Sequence, residues 1–485
     1  MKEYDLIVVG TGSAMNLVNP LLNENPEAKI AIIDKDAPGG ICLTRGCIPS
    51  KMILYPAEVI RTVEAAQMLG INVELKLPDF KFIMERMRKH IGAEIGQIRK
   101  GLSNAENIDY YTDTATFVEP KVLQVGKEII TAKLIFLCLG SRPHIPKAFK
   151  RSETDFLTSS SFLELKKLPK SLLIVGGGYI AAEYGHFMAT MGSEVTIIGR
   201  NPQFLPSLEP EVSRLAARKL GKHMTIITNH EAVELNNEKG LKVIKAIERK
   251  SGEAKLFKAE EVLIAVGREA TTDLINPETG EVEVDEKGWI VVDEHMRASV
   301  EGVWAFGDAI GGYLYKHVAN YESIVALYNL FGQEREVSYH AVPWAVFTYP
   351  EIAGVGMNQA EAVERLGEEE VLVGFQRYID TAKGKAMESA DYFVKVLVTK
   401  EDQVILGCHI IGPHASILVQ EVVNLMNTPS RSYIPYFEGM HIHPSLSEVV
   451  ERAFGSLMPV NQYNHILHHY GLGDPNEPHE PHSHH

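Results

Sequence analysis

Cysteine is scarce. Four residues in 485 make no disulfide scaffold, and a chain long enough for roughly three domains needs none, because each can bury a core of its own. Long apolar runs are missing too: no stretch reaches about 18 uninterrupted apolar residues, so no segment is expected to span a bilayer. Positive charge is short, with 48 Lys and Arg against 63 Asp and Glu. The formal net charge of -15 excludes long-range attraction to phosphate backbones or anionic membranes, and neither nucleic acid nor membrane is an expected partner. Met1, Lys2 and Glu3 lead straight into an apolar stretch without the basic and apolar segments of a signal peptide, so the expected location is cytoplasmic. Apolar residues at 45% and charged residues at 23% have the balance of a folded globular protein.

What is present is a motif that occurs twice. YDLIVVGTGSAMNLV reads as a buried strand (Leu6 to Val9), a turn at Gly10 and Gly12, and a helix; from Ser171, SLLIVGGGYIAAEYGHFMATMG repeats the plan with Gly176 and Gly178 in the turn. Such a turn holds a dinucleotide pyrophosphate against a helix N-terminus, and a third small residue lets the helix pack on the strand. Ala181 fills that slot in the second copy; the first has Met15, with Ala14 beside it to relieve the crowding. The next strand ends at Asp34 in the first copy, where an acid accepts hydrogen bonds from a ribose diol, but at Gly199 and Arg200 in the second. The two sites are expected to hold different nucleotides. GVWAFGDAIGG sets Asp308 just beyond a buried strand, either to meet a cofactor hydroxyl or to cap a helix.

Directly after the first unit, GGICLTRGCIPSK places Cys42 and Cys47 five positions apart. If the segment opens a helix, the sulfurs lie about one turn apart and the positive helix end favours a thiolate, the makings of a redox centre. Zinc is not expected, since Cys138 and Cys408 stand alone in apolar strands and read as small core residues. Near the other end, His443 and Glu448 form a candidate base with its orienting carboxylate, against a bland reading as a surface histidine before a helix.

In this order, Gly10-x-Gly12, GGICLTRGCIPSK, GGGYIAAE, GVWAFGDA and HPSLSE resemble the pyridine nucleotide-disulfide oxidoreductases, the family of dihydrolipoamide dehydrogenase and of glutathione and mycothione reductases, to about residue 460. The resemblance implies an α/β fold of two Rossmann-like dinucleotide-binding domains plus a C-terminal α+β dimerisation domain. Residues 1–148 and 271–340, with its central part, form the FAD-binding domain, 149–270 the NAD(P)-binding domain and 341–465 the interface of a homodimer. It further implies two electrons moving between NAD(P)H, FAD, a Cys42–Cys47 disulfide and a small or carrier-bound disulfide substrate, in the manner of dihydrolipoamide dehydrogenase or, as the alternative, a low-molecular-weight disulfide reductase. By similarity Cys47 lies beside the flavin and Cys42 attacks substrate, while His443 with Glu448 manages the proton. Lys51 and Glu183 match an ion pair near the flavin, and Tyr179 a ring covering the nicotinamide pocket. Gly10, Gly12, Asp34 and Asp308 would bind FAD, and Gly176, Gly178 and Arg200 the nicotinamide dinucleotide, with NADPH favoured over NADH.

Residues 466–485 read as an unfolded, His-rich end, with His465, His468, His469, His479, His482, His484 and His485 in or beside it. It supplies a hypothesis of another class, a metal-handling or interaction flavoprotein, although the histidines have no fixed ligand spacing.

Overall fold

The computed structural model describes residues 1–76 and 78–473. Two parallel sheets share one plan. In the first, Lys2–Val9 lies between Ile30–Ile33 and Glu128–Leu137, Ile108–Tyr111 pairs outside Ile30–Ile33, and Val303–Ala305 returns from far along the chain to pair with Glu128–Leu137. Val122–Val125 and Ala115–Glu119 extend it antiparallel. In the second the order is Thr225–Ile227, Glu194–Ile198, Ser171–Val175, Glu261–Ile264. Ile30–Ile33 is buried throughout, which is why the central strands read as unbroken apolar runs rather than alternating ones.

The repeat seen in the sequence extends to single atoms. Gly10 N donates to Ile33 O at 2.8 Å and Gly176 N to Ile198 O at 2.9 Å; Cys138 N donates to Val9 O, and Ala265 N to Val175 O, both at 2.8 Å. A Cβ on Gly10 would lie 2.1 Å from the Cys138 carbonyl oxygen, and one on Gly176 2.1 Å from that of Ala265. Each glycine also has a positive φ, 108° and 128°, so a side chain is excluded at both turns by contact and by conformation. Past the turns, helices Met15–Glu24 and Tyr179–Met191 begin. Ala181 is fully buried, as is Ala14, and Met15 packs partly buried against the same core as Ala14.

The C-terminal part is a six-stranded antiparallel sheet, ordered Pro343–Val346, Ile352–Gly356, Ile405–Ile411, Phe393–Thr399, Val371–Arg377, Met458–Pro459. Alternation sends the two faces of Phe393–Thr399 to different cores. Val394, Val396 and Val398 pack with Leu418, Val422 and Val450 of the covering helices, whereas Phe393 and Leu397 join the core that includes Leu215 and Ala216 of the second nucleotide unit. Lys395 shares the second face. Its Nζ lies 2.9 Å from Glu209 and 2.7 Å from Glu211, all three nearly inaccessible, and Tyr463 donates to Glu211 at 2.6 Å. This buried cluster joins the second unit to the C-terminal sheet.

The expectation of an unfolded end from residue 466 is corrected over residues 466–473. Helix Val460–His469 runs into that stretch with Val460, Tyr463 and Leu467 buried, a helical spacing that the histidines obscured. Arg214 then holds Leu472 O through Nε and Nη2, at 3.0 and 2.6 Å. His465, His468 and His469 belong to this helix, whereas His479, His482, His484 and His485 lie outside the described residues. Among the described residues no helix is long and apolar enough to cross a membrane.

Replacing Lys395 with Met leaves two buried carboxylates facing each other, a loss of about 3–5 kcal/mol by the usual cost of breaking a buried pair. Thermal unfolding of Lys395→Met is expected well below that of the parent, with partial recovery on adding Glu209→Gln and Glu211→Gln. An unshifted midpoint would show that the cluster does not hold the two parts together.

Candidate redox site

The two cysteines do not share a helix, a correction to the simplest reading of their spacing. Cys42 lies inside the short helix Gly40–Arg45, and Cys47 opens the 19-residue helix Cys47–Ala65. Between them Gly46 allows the two to close up, because a Cβ there would stand 2.8 Å from Ile41 O and 3.2 Å from Cys42 Cα. Another contact places the segment: a Cβ on Gly40 would lie 2.6 Å from Gly12 Cα, so the cysteine segment rests directly on the first glycine turn. Both cysteines are thiols. A hydrogen bond from Cys42 to Cys47, aided by the Lys51 ammonium and opposed by partial burial, brings the Cys47 thiol down to about 6. The same bond pushes Cys42 far up. Cys47 also stands at a helix N-terminus, where exposed N–H groups favour a thiolate.

These groups border a cavity of about 1010 Å³, a volume at the upper end of ligand sites. Of the catalytic and cofactor-binding residues expected from the sequence, all but His443 and Glu448 line it: Gly10, Gly12, Asp34, Cys42, Cys47, Lys51, Gly176, Gly178, Tyr179, Glu183, Arg200 and Asp308. Lys51 Nζ donates to both oxygens of buried Glu183, at 2.9 and 2.8 Å. Glu183 Oε1 accepts a third bond from Phe347 N at 3.0 Å, and the Phe347 ring lies under the ammonium, 4.7 Å from its centroid. Tyr179 stacks on Trp344 with centroids 6.0 Å apart. Asp34 accepts from Thr11 N and Asp36 N, each at 3.0 Å, and from Thr11 Oγ1. Its carboxylate therefore braces the first turn. Asp308 caps no helix through its side chain; it accepts from Ser141 Oγ, which also takes a 2.6 Å bond from Arg268 Nε.

His443 and Glu448 stand elsewhere, in the C-terminal part. His443 Nδ1 meets Glu448 Oε1 at 2.9 Å, and Glu448 Oε2 accepts from Ser445 N at 3.1 Å. The bond to His443 comes first among the causes that hold Glu448 below the usual carboxylate range. Glu448 is buried, but the His443 side chain is 67% exposed. The imidazole is thus oriented, with its ring open to the outside.

Among the polar residues lining the cavity that sequence reading missed are Lys316, Arg268, and the Arg45–Asp36 pair at 2.6 Å. A basic residue opening the helix after GDAIGG was the only linear signal for Lys316.

A thiol pair with one favoured thiolate, in a cavity shared by two dinucleotide-type turns, defines a nucleotide-linked thiol–disulfide oxidoreductase. The chain belongs to the pyridine nucleotide-disulphide oxidoreductase family, whose model matches residues 4–326, with the dimerisation domain of that family over 342–454. It is 33% identical over 467 residues to the mycothione reductase of Mycobacterium tuberculosis (strain CDC 1551 / Oshkosh), covering 93% of this chain and 99% of that protein. It is 32% identical over 476 residues to the dihydrolipoyl dehydrogenase of Chlamydia pneumoniae, covering 96% and 98%. The fold is also that of the HOCl-induced flavoprotein disulfide reductase RclA from Escherichia coli, with a TM-score of 0.81 at 24% identity over 93% of this chain and 99% of that one. The family uses FAD and a pyridine nucleotide. The residues present fit both: nothing lies within 4 Å of a Cβ placed on Gly178, whose open side is the cavity, and each turn ends where a helix starts.

In the reduced, flavin-free protein one cysteine is expected to titrate near pH 6, read by thiolate absorbance in the ultraviolet. Below that pH the thiolate is lost; above it the anion persists. Cys42→Ala removes the donor and should raise the midpoint toward the ordinary cysteine value of about 8.5. A midpoint unchanged in Cys42→Ala would remove the Cys42 bond as its cause.

Proposed function

We propose that this chain is an NADPH-dependent reductase of a low-molecular-weight disulfide, acting as a homodimer whose sites are shared between subunits. The observation that carries the reading is the Cys42–Cys47 pair, seated on the first glycine turn with Lys51 and Glu183 beside Cys47 in the cavity that also reaches the second turn. FAD held along the first turn, by Gly10, Gly12 and Asp308, would supply the relay of two electrons between nicotinamide and the cysteines.

The chain's own residues do the rest. Cys42 gives its proton to a base and attacks one sulfur of the substrate disulfide, expelling the other as a thiolate and forming a mixed disulfide. The Cys47 thiolate then attacks the Cys42 sulfur, the second substrate thiolate leaves, and the Cys42–Cys47 disulfide closes. Two electrons have passed to the substrate; one of its two protons is that taken from Cys42, the other comes from solvent. His443, held in one tautomer by Glu448, is the group suited to take and return the proton. Since it lies outside the cavity of its own chain, and Met440 and Ile442 beside it are exposed, the reading has each His443 serve the partner's pair across a two-fold axis.

Arg200 supports the choice of nucleotide. It stands at the cavity after Gly199, where an acid would select the ribose diol of NADH and a guanidinium accepts the extra phosphate of NADPH. A second reading, NAD-linked oxidation of dihydrolipoamide, draws on the nearly equal similarity to dihydrolipoyl dehydrogenases.

Mycothiol disulfide, glutathione disulfide, coenzyme A disulfide and lipoamide, each offered with NADPH and with NADH, separate the two. Turnover of a small thiol disulfide with NADPH is expected, with Arg200→Leu losing about tenfold to a hundredfold of the NADPH preference, the worth of one charged hydrogen bond. Preference for lipoamide with NADH would select the second reading.

Shared sites are tested by mixing subunits. His443→Ala and Cys47→Ser homodimers should each fall by about 10² to 10⁴ in disulfide turnover. A heterodimer places both defects in one site and leaves the other whole, so about half the parent activity per heterodimer is expected. Heterodimers as inactive as either parent would place His443 in the site of its own chain.

A further inference from the structure

The cavity contains a second lysine that the thiol–disulfide reading leaves without a role. Lys316 opens the helix Lys316–Leu330 and is half-buried. Its Nζ donates to Ser13 Oγ at 2.8 Å, and Ser13 Oγ donates to Asn320 Oδ1 of the same helix at 2.9 Å. The hydroxyl thus has one acceptor direction committed to the ammonium, which fixes where the charge sits. Among the described residues Lys316 forms no ion pair, so a half-buried cation faces the cavity with no carboxylate bound to it. Such a cation is costly to place without an anion to meet.

Ser13 follows Gly12, on which Gly40 of the short Cys42 helix rests, so the ammonium and both cysteines border one part of the cavity. Burial draws Lys316 below the usual lysine range, and the charges that act against that are Cys42, Cys47 and Asp308. Lys51 favours the anion of Cys47, and Lys316 favours that of Cys42 first and also faces Cys47. The other charged groups facing these sulfurs are Glu183 beside Cys47 and Arg268, which faces Cys47 and Asp308.

We propose that Lys316 is a positioning residue for Cys42, a cation held at the cavity wall by Ser13 and Asn320 that steadies the Cys42 sulfur as it gives up its proton to attack a disulfide. The inference rests on the proposed role of the Cys42–Cys47 pair and gives Cys42 a cation besides the Lys51 that favours the Cys47 anion.

The test uses holoenzyme reduced by two electrons and treated with iodoacetamide across a pH series, with modification at Cys42 followed by mass spectrometry. In Lys316→Met the midpoint for Cys42 alkylation should rise by about one pH unit, a rate about tenfold lower on the rising limb. Lys316→Arg should restore most of it, while flavin content and the Cys47 thiolate-to-flavin absorbance stay as in the parent. An unmoved midpoint in Lys316→Met overturns the proposal, as does Lys316→Arg behaving like Met. Loss of FAD with an unmoved midpoint in the flavin-retaining fraction also overturns it, and assigns Lys316 to the cofactor phosphates. Failure of the underlying reading looks different: Cys42 would then be alkylated equally well without prior reduction.

Discussion

The redox site depends on a backbone contact that admits no side chain. Gly40 rests on Gly12, so the segment bearing Cys42 lies on the turn that opens the first helix. Gly46 then permits the Cys47 helix to start hard against the Cys42 helix. Both glycines set distances that a methyl group would forbid, and the thiol-to-thiol hydrogen bond exists only because those distances are short. Because that bond is the largest cause of the low Cys47 value, chain packing translates directly into thiolate chemistry.

A second coupling crosses from one nucleotide unit to the other. Ile53 and Leu54 of the Cys47 helix share a core with Tyr184 and Phe187 of the helix Tyr179–Met191. That contact carries Lys51 to Glu183, and Glu183 is steadied in turn by Phe347 N from the C-terminal part. An ion pair in this position is weak evidence of stability, since taking the charges from water offsets much of their attraction. Its use is electrostatic: Lys51 lowers the Cys47 thiol and Glu183 raises it, so the pair moderates the charge that the sulfur meets.

The C-terminal sheet holds the second unit by Lys395, Glu209, Glu211 and Tyr463, while His443 stands exposed before the helix Ser447–Phe454. The helix Val460–His469 and the Arg214 bonds to Leu472 O close the same contact. One part of the chain thus fixes the second nucleotide unit with one side of its sheet and carries the exposed His443 ring elsewhere on its surface. It matches the family's dimerisation domain over residues 342–454.

Local chemistry was legible in the linear chain. Strand, glycine turn and helix succeed one another within about 20 residues, so Gly10, Gly12, Gly176 and Gly178 could be read with their strands. Cys42 with Cys47, and His443 with Glu448, are pairs separated by five positions, short enough for sequence to imply contact. Even there, the break at Gly46 escaped a reading by spacing alone, because it depends on how two helices meet. The Lys51–Glu183 pair was implied by resemblance, but other contacts between distant residues came only from the tertiary structure: Asp308 with Ser141 and Arg268, Lys316 with Ser13, and Lys395 with two glutamates. The helix at 460–469 was hidden for a related reason, since its three buried residues gain their meaning from the surface they cover. Sequence determined the kinds of chemistry this protein can hold, because motifs are made of neighbours. Folding decided which charge faces which sulfur, because a Coulomb interaction depends on distance in space and not on separation along the chain.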